Sequence, residues 1–210
     1  MPPALATTTP GKQPLDRCGL TTEREHMVKI NFGAGDFKLD GWINVDLDPA
    51  CRPTVVADLS QALPFKDGCA DYIHSEDFID QLELDLAYRF FGECHRLLKP
   101  NGVMRVLIPD LFRFAKLYVD GDQELAKLWK KYVRLPLQVD TLGEIFNLGM
   151  RLGGHTFLYD HETLVKVLGE CGFRAERVDY RQSRESALRG LDLRSPDTAV
   201  SMYFDCYKVG

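Results

Sequence analysis

The residues able to do chemistry fall at regular intervals in the first half of the chain. Gly33-Ala34-Gly35 follows a short apolar run, and its two glycines let the backbone turn sharply and let a ligand approach without meeting a Cβ. Asp46 and Asp48 close a second run, Asp58 a third, Ser75-Glu76-Asp77 a fourth, and Pro109-Asp110 a fifth. In an open parallel α/β sheet, ligands bind outside the carboxyl ends of the strands, so five polar strand ends in succession outline one site. A dinucleotide site would place a third glycine near Lys38 and an acid about 20 residues on. Here Asp46 follows Gly35 by only 11 residues, and the short DFKLDGW segment leaves little room for the helix that holds a pyrophosphate. A nucleoside without phosphates fits better, with Asp46 accepting from ribose hydroxyls and Asp58 near an adenine edge. The plainer alternative is that both acids cap turns.

The elements that must position these residues can be read from the hydrophobic pattern. MVKINFG, GWINVDLD, TVVADL, CADYIHS and VMRVLIP read as five strands, nearly continuously apolar, as in a parallel sheet covered on both faces. Leu86, Phe90, Cys94 and Leu97 recur with helical spacing before a KPNG turn. Residues 111–154 read as a helical insertion after the fifth strand. Asp160 caps a further helix carrying Leu164, Val167, Leu168 and Cys171, Gly172 ends it, and RAERVDY and AVSMYFDCYKV give two late strands at one edge. The expected fold is α/β, a Rossmann-like three-layer sandwich around a mostly parallel seven-stranded sheet with an antiparallel late edge strand. Residues 1–26, rich in Pro, Thr and Ala, read as a flexible or docking arm, leaving 27–210 as the folded domain.

Composition narrows the partners. The 210 residues carry 26 Lys+Arg against 31 Asp+Glu, a net charge of −5, whereas nucleic-acid binding usually leaves a basic footprint. No apolar run reaches the ~18 residues of a membrane span, and the opening residues lack the features of a secretory signal. Six scattered cysteines without a CxxC pair suit free thiols in the cytoplasm, and the histidine spacing fits no common zinc pattern, so no metal is expected.

Taken in order, INFGAGDF, WINVDLDP, VVADLSQALPF, CADYIHSEDFIDQL and HRLLKPNGVMRVLIPD resemble the class I S-adenosylmethionine-dependent methyltransferases of small-molecule type over residues 27–111, and GHTFLYDHETLVKVLGECGF resembles the segment leading into their last helix. The resemblance implies S-adenosyl-L-methionine as cofactor. It places Asn31 and the Phe32-Gly33-Ala34-Gly35 turn at the cofactor's amino-acid end, Asp46 on the ribose with Leu47 along the adenine, Asp58 and Leu59 at the adenine amine, and Ser75 and Glu76 beside the methyl group. Asn31 stands where an acid is frequent, and Asp80-Gln81-Leu82 where many members have Glu-His-Leu. Gln81 cannot act as a base.

Methyl transfer needs mainly an aligned nucleophile, with a base only where the acceptor arrives protonated. His155, Tyr159 and Asp110 are the candidates; His155 sits in a Gly-Gly-His segment before the late helix, and histidine is the side-chain type ordinarily suited to proton transfer near neutral pH. The alternative for His155 is a structurally satisfied ring, and His74 and His95 read as structural. The insertion is expected to act as a lid, with Phe112, Phe114, Tyr118, Trp129, Tyr132 and Phe146 either lining an acceptor pocket or packing among themselves. Lys127, Lys130, Lys131 and Arg134 read as a solvated face or a contact for an anionic acceptor. The expected function is methylation of an O or N nucleophile on a small metabolite, a sugar or secondary-metabolite intermediate, without nucleic acid or membrane; homodimerisation stays open. The alternatives are a nicotinamide-dependent oxidoreductase and a non-catalytic nucleoside-binding relative.

Overall fold

The computed structural model describes residues 27–133 and 138–210. The expected N-terminal arm and Arg134 lie outside the described residues. Seven strands form one sheet: β1 (Lys29–Phe32), β2 (Ile43–Asp46), β3 (Val55–Val56), β4 (Ala70–Glu76), β5 (Leu98–Pro109), β6 (Phe173–Val178) and β7 (Ser201–Lys208). Their order is β3-β2-β1-β4-β5-β7-β6. β1 to β5 pair in parallel, and β7 runs antiparallel to both β5 and β6. The antiparallel member of the late pair is thus β7, while β6 is outermost and points the same way as β5. The carboxyl ends of β1 to β6 consequently share one end of the sheet.

Strand alternation gives the sheet two unlike faces. Ile30, Phe32, Val45, Ile73, Met104, Val106, Ile108, Met202, Phe204 and Cys206 belong to the main core with α1 (Leu84–Leu97) and α5 (His161–Glu170). The alternate positions, Asn31, Asn44, His74, Arg105 and Asp205, are buried and polar. The strands are therefore less uniformly apolar than their sequence suggested. The segment 179–200, carrying one short 3-10 turn (Ser186–Leu188), covers this second face and forms the third layer. Leu188 packs there against Trp42 and Val103. Arg105 pins the segment: its guanidinium holds Asp192 at 2.5 and 3.0 Å and Asp205 at 2.9 Å, and Asp205 takes a bond from Ser183.

KPNG is a bulge inside β5 rather than a turn before it. The pairing jumps from Ala70 with Leu98 to Tyr72 with Val103, and Asn101 takes the extra length at φ 64°. Past Pro109 the chain enters α2 (Leu111–Val119), α3 (Gln123–Tyr132) and α4 (Leu142–Gly149), which bury Leu117, Leu125, Trp129, Val139 and Ile145 in a second core. Asp160 caps α5 through the Thr163 amide at 2.8 Å, and Gly172 follows its end at φ 84°.

Candidate active site

The turn after β1 is built around Asp46. One carboxylate oxygen accepts the Gly35 amide at 2.7 Å and the other the Asp48 amide at 2.9 Å. Gly33 has φ 67°, and a Cβ there would lie 2.6 Å from Phe78 Cβ, so glycine is required twice over. At Gly35 (φ 47°) an added Cβ would meet nothing; the position faces open space. Gly33, Ala34, Gly35, Asp46, Leu47, Asp58, Leu59, Asn31 and Glu76, all expected site residues, line one cavity of about 760 Å³ at the carboxyl ends of β1, β2 and β4. Among its described lining residues are the carboxylates of Asp36, Asp46, Asp58, Glu76 and Asp77 against a single arginine, Arg194. Asp58 also keeps its capping role, accepting the Ser60 amide and hydroxyl, which hold its carboxyl below the usual range.

Two expected members fall outside. Phe32 points into the core, edge-on to Phe90 at 5.5 Å, and serves the site only through the turn it precedes. Ser75 faces the helical layer because β4 alternates; its buried hydroxyl has no partner. His74, read as structural, takes its place on the cavity wall. The amide of Asn44 is fixed by Leu39 and Trp42 backbone groups, so its oxygen accepts from Asn31 Nδ2 at 3.0 Å. Asn31 Oδ1 is then an acceptor, 2.9 Å from His74 Nδ1, which must carry the ring proton. Burial moves His74 down to about 4, so the ring is neutral and its Nε2 is a buried lone pair without a partner, 3.8 Å from Glu76 Oε2. Burial pushes Glu76 up to about 7, although it accepts the Leu193 and Arg194 amides.

The segment 179–200 contributes to the cavity without a signal in the sequence for that role. It brings Leu191, Leu193, Arg194 and Thr198 to the cavity, and Arg194 Nε meets Asp77 Oδ2 at 2.5 Å. Asp77 is held at φ 50°, a strained setting for a non-glycine residue. Gly190 and Ser195-Pro196-Asp197 signal turns in this loop but not its place at the site; the acids that hold it, Asp192 and Asp205, look like ordinary charges until Arg105 is placed.

A second cavity, about 570 Å³, opens between the sheet end and the helical insertion. Phe114, Leu125, Leu128, Trp129, Tyr132, Leu152, Leu158 and His155 line it, and Asp77, Gln81, Arg194 and Thr198 belong to both cavities. Of the expected aromatics, Phe112 is exposed, whereas Tyr118 and Phe146 stack behind Phe114. His155 Nδ1 lies 3.1 Å from the Gly149 carbonyl, and Nε2 lies 3.2 Å from Asp80 Oδ2. Asp80 is fully buried, its oxygens lack hydrogen bonds, and burial pushes it up to about 6 against the pull of His155.

The other two base candidates are otherwise engaged. Asp110 caps α2 through the Arg113 amide at 3.0 Å and pairs with Arg177 at 2.8 Å. Tyr159 is buried against Phe157, and burial pushes its hydroxyl up. Neither is among the described residues lining these two cavities. Among the described residues no cluster of three or more His, Cys, Asp or Glu is arranged to hold a metal, and no helix is long and apolar enough to cross a membrane.

A methyltransferase-domain family model matches residues 42–106. No curated protein is a significant match. Among solved structures, a SAM-dependent methyltransferase from Methanosarcina mazei is similar, with TM-score 0.53 and 15% identity over 89% of this chain and 94% of its own. A SAM-dependent methyltransferase from Archaeoglobus fulgidus gives 0.52 and 14% over 88% and 87%. One chain of the complex between the Haloferax volcanii Trm112 methyltransferase activator and a methyltransferase gives 0.52 and 14% over 90% and 84%. At such identities the structures speak for the fold alone. The segment 42–106 is similar to a methyltransferase domain, the fold is similar to that of solved S-adenosylmethionine-dependent methyltransferases, and S-adenosylmethionine is the cofactor these matches indicate.

Proposed function

We propose that the chain is a methyltransferase acting on an oxygen or nitrogen of a small molecule, with S-adenosylmethionine in the first cavity and the acceptor in the second. The observation that carries this reading is the junction: two cavities of ligand size meet at Asp77, Gln81, Arg194 and Thr198.

The residues present fit the cofactor. Each Asp46 oxygen has one backbone donor, leaving lone pairs for ribose hydroxyls. Leu47, 63% exposed at the mouth, and Leu59 supply apolar surface for a base. At the other end, the unpartnered His74 Nε2 and the Glu76 carboxylate suit an ammonium donor. The excess of carboxylates favours a cation. A nicotinamide dinucleotide is disfavoured, because no helix stands between β1 and β2 to receive a pyrophosphate.

When bound, S-adenosylmethionine supplies an electrophilic methyl group on a positive sulfur. The chain's own work is to hold the acceptor in line, which is the larger part of the acceleration for such a step. The acceptor's proton passes to the pair that His155, at the wall of the second cavity, makes with Asp80: Nδ1 faces the Gly149 carbonyl, and the proton taken up lies between Nε2 and Oδ2, 3.2 Å apart. The helical insertion acts as the lid that keeps water from the junction. Core thiols such as Cys94 and Cys206 suit a cytoplasmic setting. A thermal-shift comparison tests the reading: S-adenosylhomocysteine raises Tm and NADH leaves it unchanged. The reverse pattern would replace the methyltransferase by the oxidoreductase.

A further inference from the structure

The walls of the second cavity carry information about the acceptor. From the insertion come Leu111, Phe114, Leu125, Leu128, Trp129 and Tyr132. Phe114 is the front of a three-ring slab, stacked on Phe146 at 5.1 Å and 14°, with Phe146 stacked in turn on Tyr118 at 4.7 Å and 22°. Gly149 is shaped to this slab, since a Cβ there would fall 2.4 Å from the Phe114 ring. Of the charged lining residues, Asp77 and Arg194 stand at the junction with the first cavity, while His155 lines the second cavity alone. Arg194 is already paired with Asp77, and His155 faces Asp80. Among the described lining residues, no cation is left over for a phosphate or carboxylate. The uncharged polar side chains are Gln81, Tyr132, Thr198 and Ser201, which leave the insertion wall mostly apolar, so the hydroxyls a sugar turned to that wall would lack partners.

We infer that this cavity takes a neutral aromatic acceptor of about two fused rings, its one ionisable hydroxyl directed at the junction. This narrows the sugar-or-secondary-metabolite expectation to an arene, and rests on the methyltransferase reading only for the fate of the ligand. In the transfer, the hydroxyl proton passes to the His155–Asp80 pair, where it lies between Nε2 and Oδ2, and the phenolic oxygen forms the new C–O bond. The S–CH3 bond breaks with its electron pair left on sulfur, giving the methyl ether and S-adenosylhomocysteine.

The probe is 1-naphthol, titrated into the full chain with S-adenosylhomocysteine present and followed by Trp129 fluorescence in a Trp42→Phe background. Parallel titrations use 1-naphthyl phosphate and methyl glucoside, and calorimetry repeats all three on the unsubstituted chain. Saturable binding of 1-naphthol, with the phosphate and the glucoside each at least ten-fold weaker, is expected. Half-buried Leu128 on α3 gives the site-specific control. Leu128→Glu weakens 1-naphthol at least ten-fold and Leu128→Phe, apolar but bulkier, weakens it less, while S-adenosylhomocysteine affinity stays within two-fold for both. Preference for the glucoside or the phosphate, no 1-naphthol binding, or binding indifferent to both Leu128 variants overturns the inference. Loss of S-adenosylhomocysteine binding by the unsubstituted chain would instead overturn the methyltransferase reading, and is scored separately.

Discussion

Glu76 shows how one side chain serves two demands that pull in opposite directions. Its carboxylate ties the Leu193 and Arg194 amides to the end of β4, which requires burial, and burial pushes its proton affinity up to about 7 from 4.5. A carboxyl whose folded value is raised favours the fold while protonated. That contribution is complete below about 4.5 and is lost as pH rises through about 7. Glu76→Gln removes the charge and keeps an acceptor for the backbone. The variant's Tm therefore gains on the parent as pH climbs across this window, measured by calorimetry at intervals from pH 4 to 8. A Tm difference that is flat with pH would show that the carboxylate is already compensated in the fold. His74 illustrates what sequence alone conceals. A histidine inside a strand is ordinarily structural, and only the Asn44–Asn31–His74 chain reveals that its tautomer is set with a lone pair toward the cavity. The glycine turn and Asp46, by contrast, were legible because their spacing is itself the constraint.

At the scale of elements, most of the sheet could be read from apolar runs and punctuation, and α1 and α5 from their periodicity. The placement of segment 179–200 could not, because the bonds that fix it to the sheet, through Arg105, Asp205 and Glu76, are long-range. Asp192 and Asp205 become meaningful only when the fold brings them to Arg105 on β5. This buried trio holds the loop that delivers Leu193 and Arg194 to the site. Arg105→Met leaves two carboxylates buried without their partner, and destabilises the fold by roughly 3–5 kcal/mol in denaturant titrations. The triple variant with Asp192→Asn and Asp205→Asn recovers much of that loss while loosening the loop, seen as faster hydrogen exchange at Leu193 and Arg194. Equal losses in both variants would mean that the guanidinium's packing matters more than its charge. Asp110 and Tyr159 carry structural roles the sequence did not announce: Asp110 at a strand end caps α2, and Tyr159 packs its ring against Phe157 in the core.

For the molecule as a whole, the sheet end divides the work between two cavities with contrasting linings. The first, bordered by β1, β2 and β4, is rich in carboxylates; the second, bordered by the insertion, is mostly apolar. The net charge of −5 has a local counterpart in the first. Asp46 connects these scales, since it closes the glycine turn and faces the first cavity. Titration of S-adenosylhomocysteine into the full chain, alongside Asp46→Ala, tests the central claim most directly. One-site binding that Asp46→Ala weakens ten-fold or more, about 1.4 kcal/mol or above, is the predicted result. No saturable binding to the unsubstituted chain, or equal affinity in a folded Asp46→Ala variant, would contradict it.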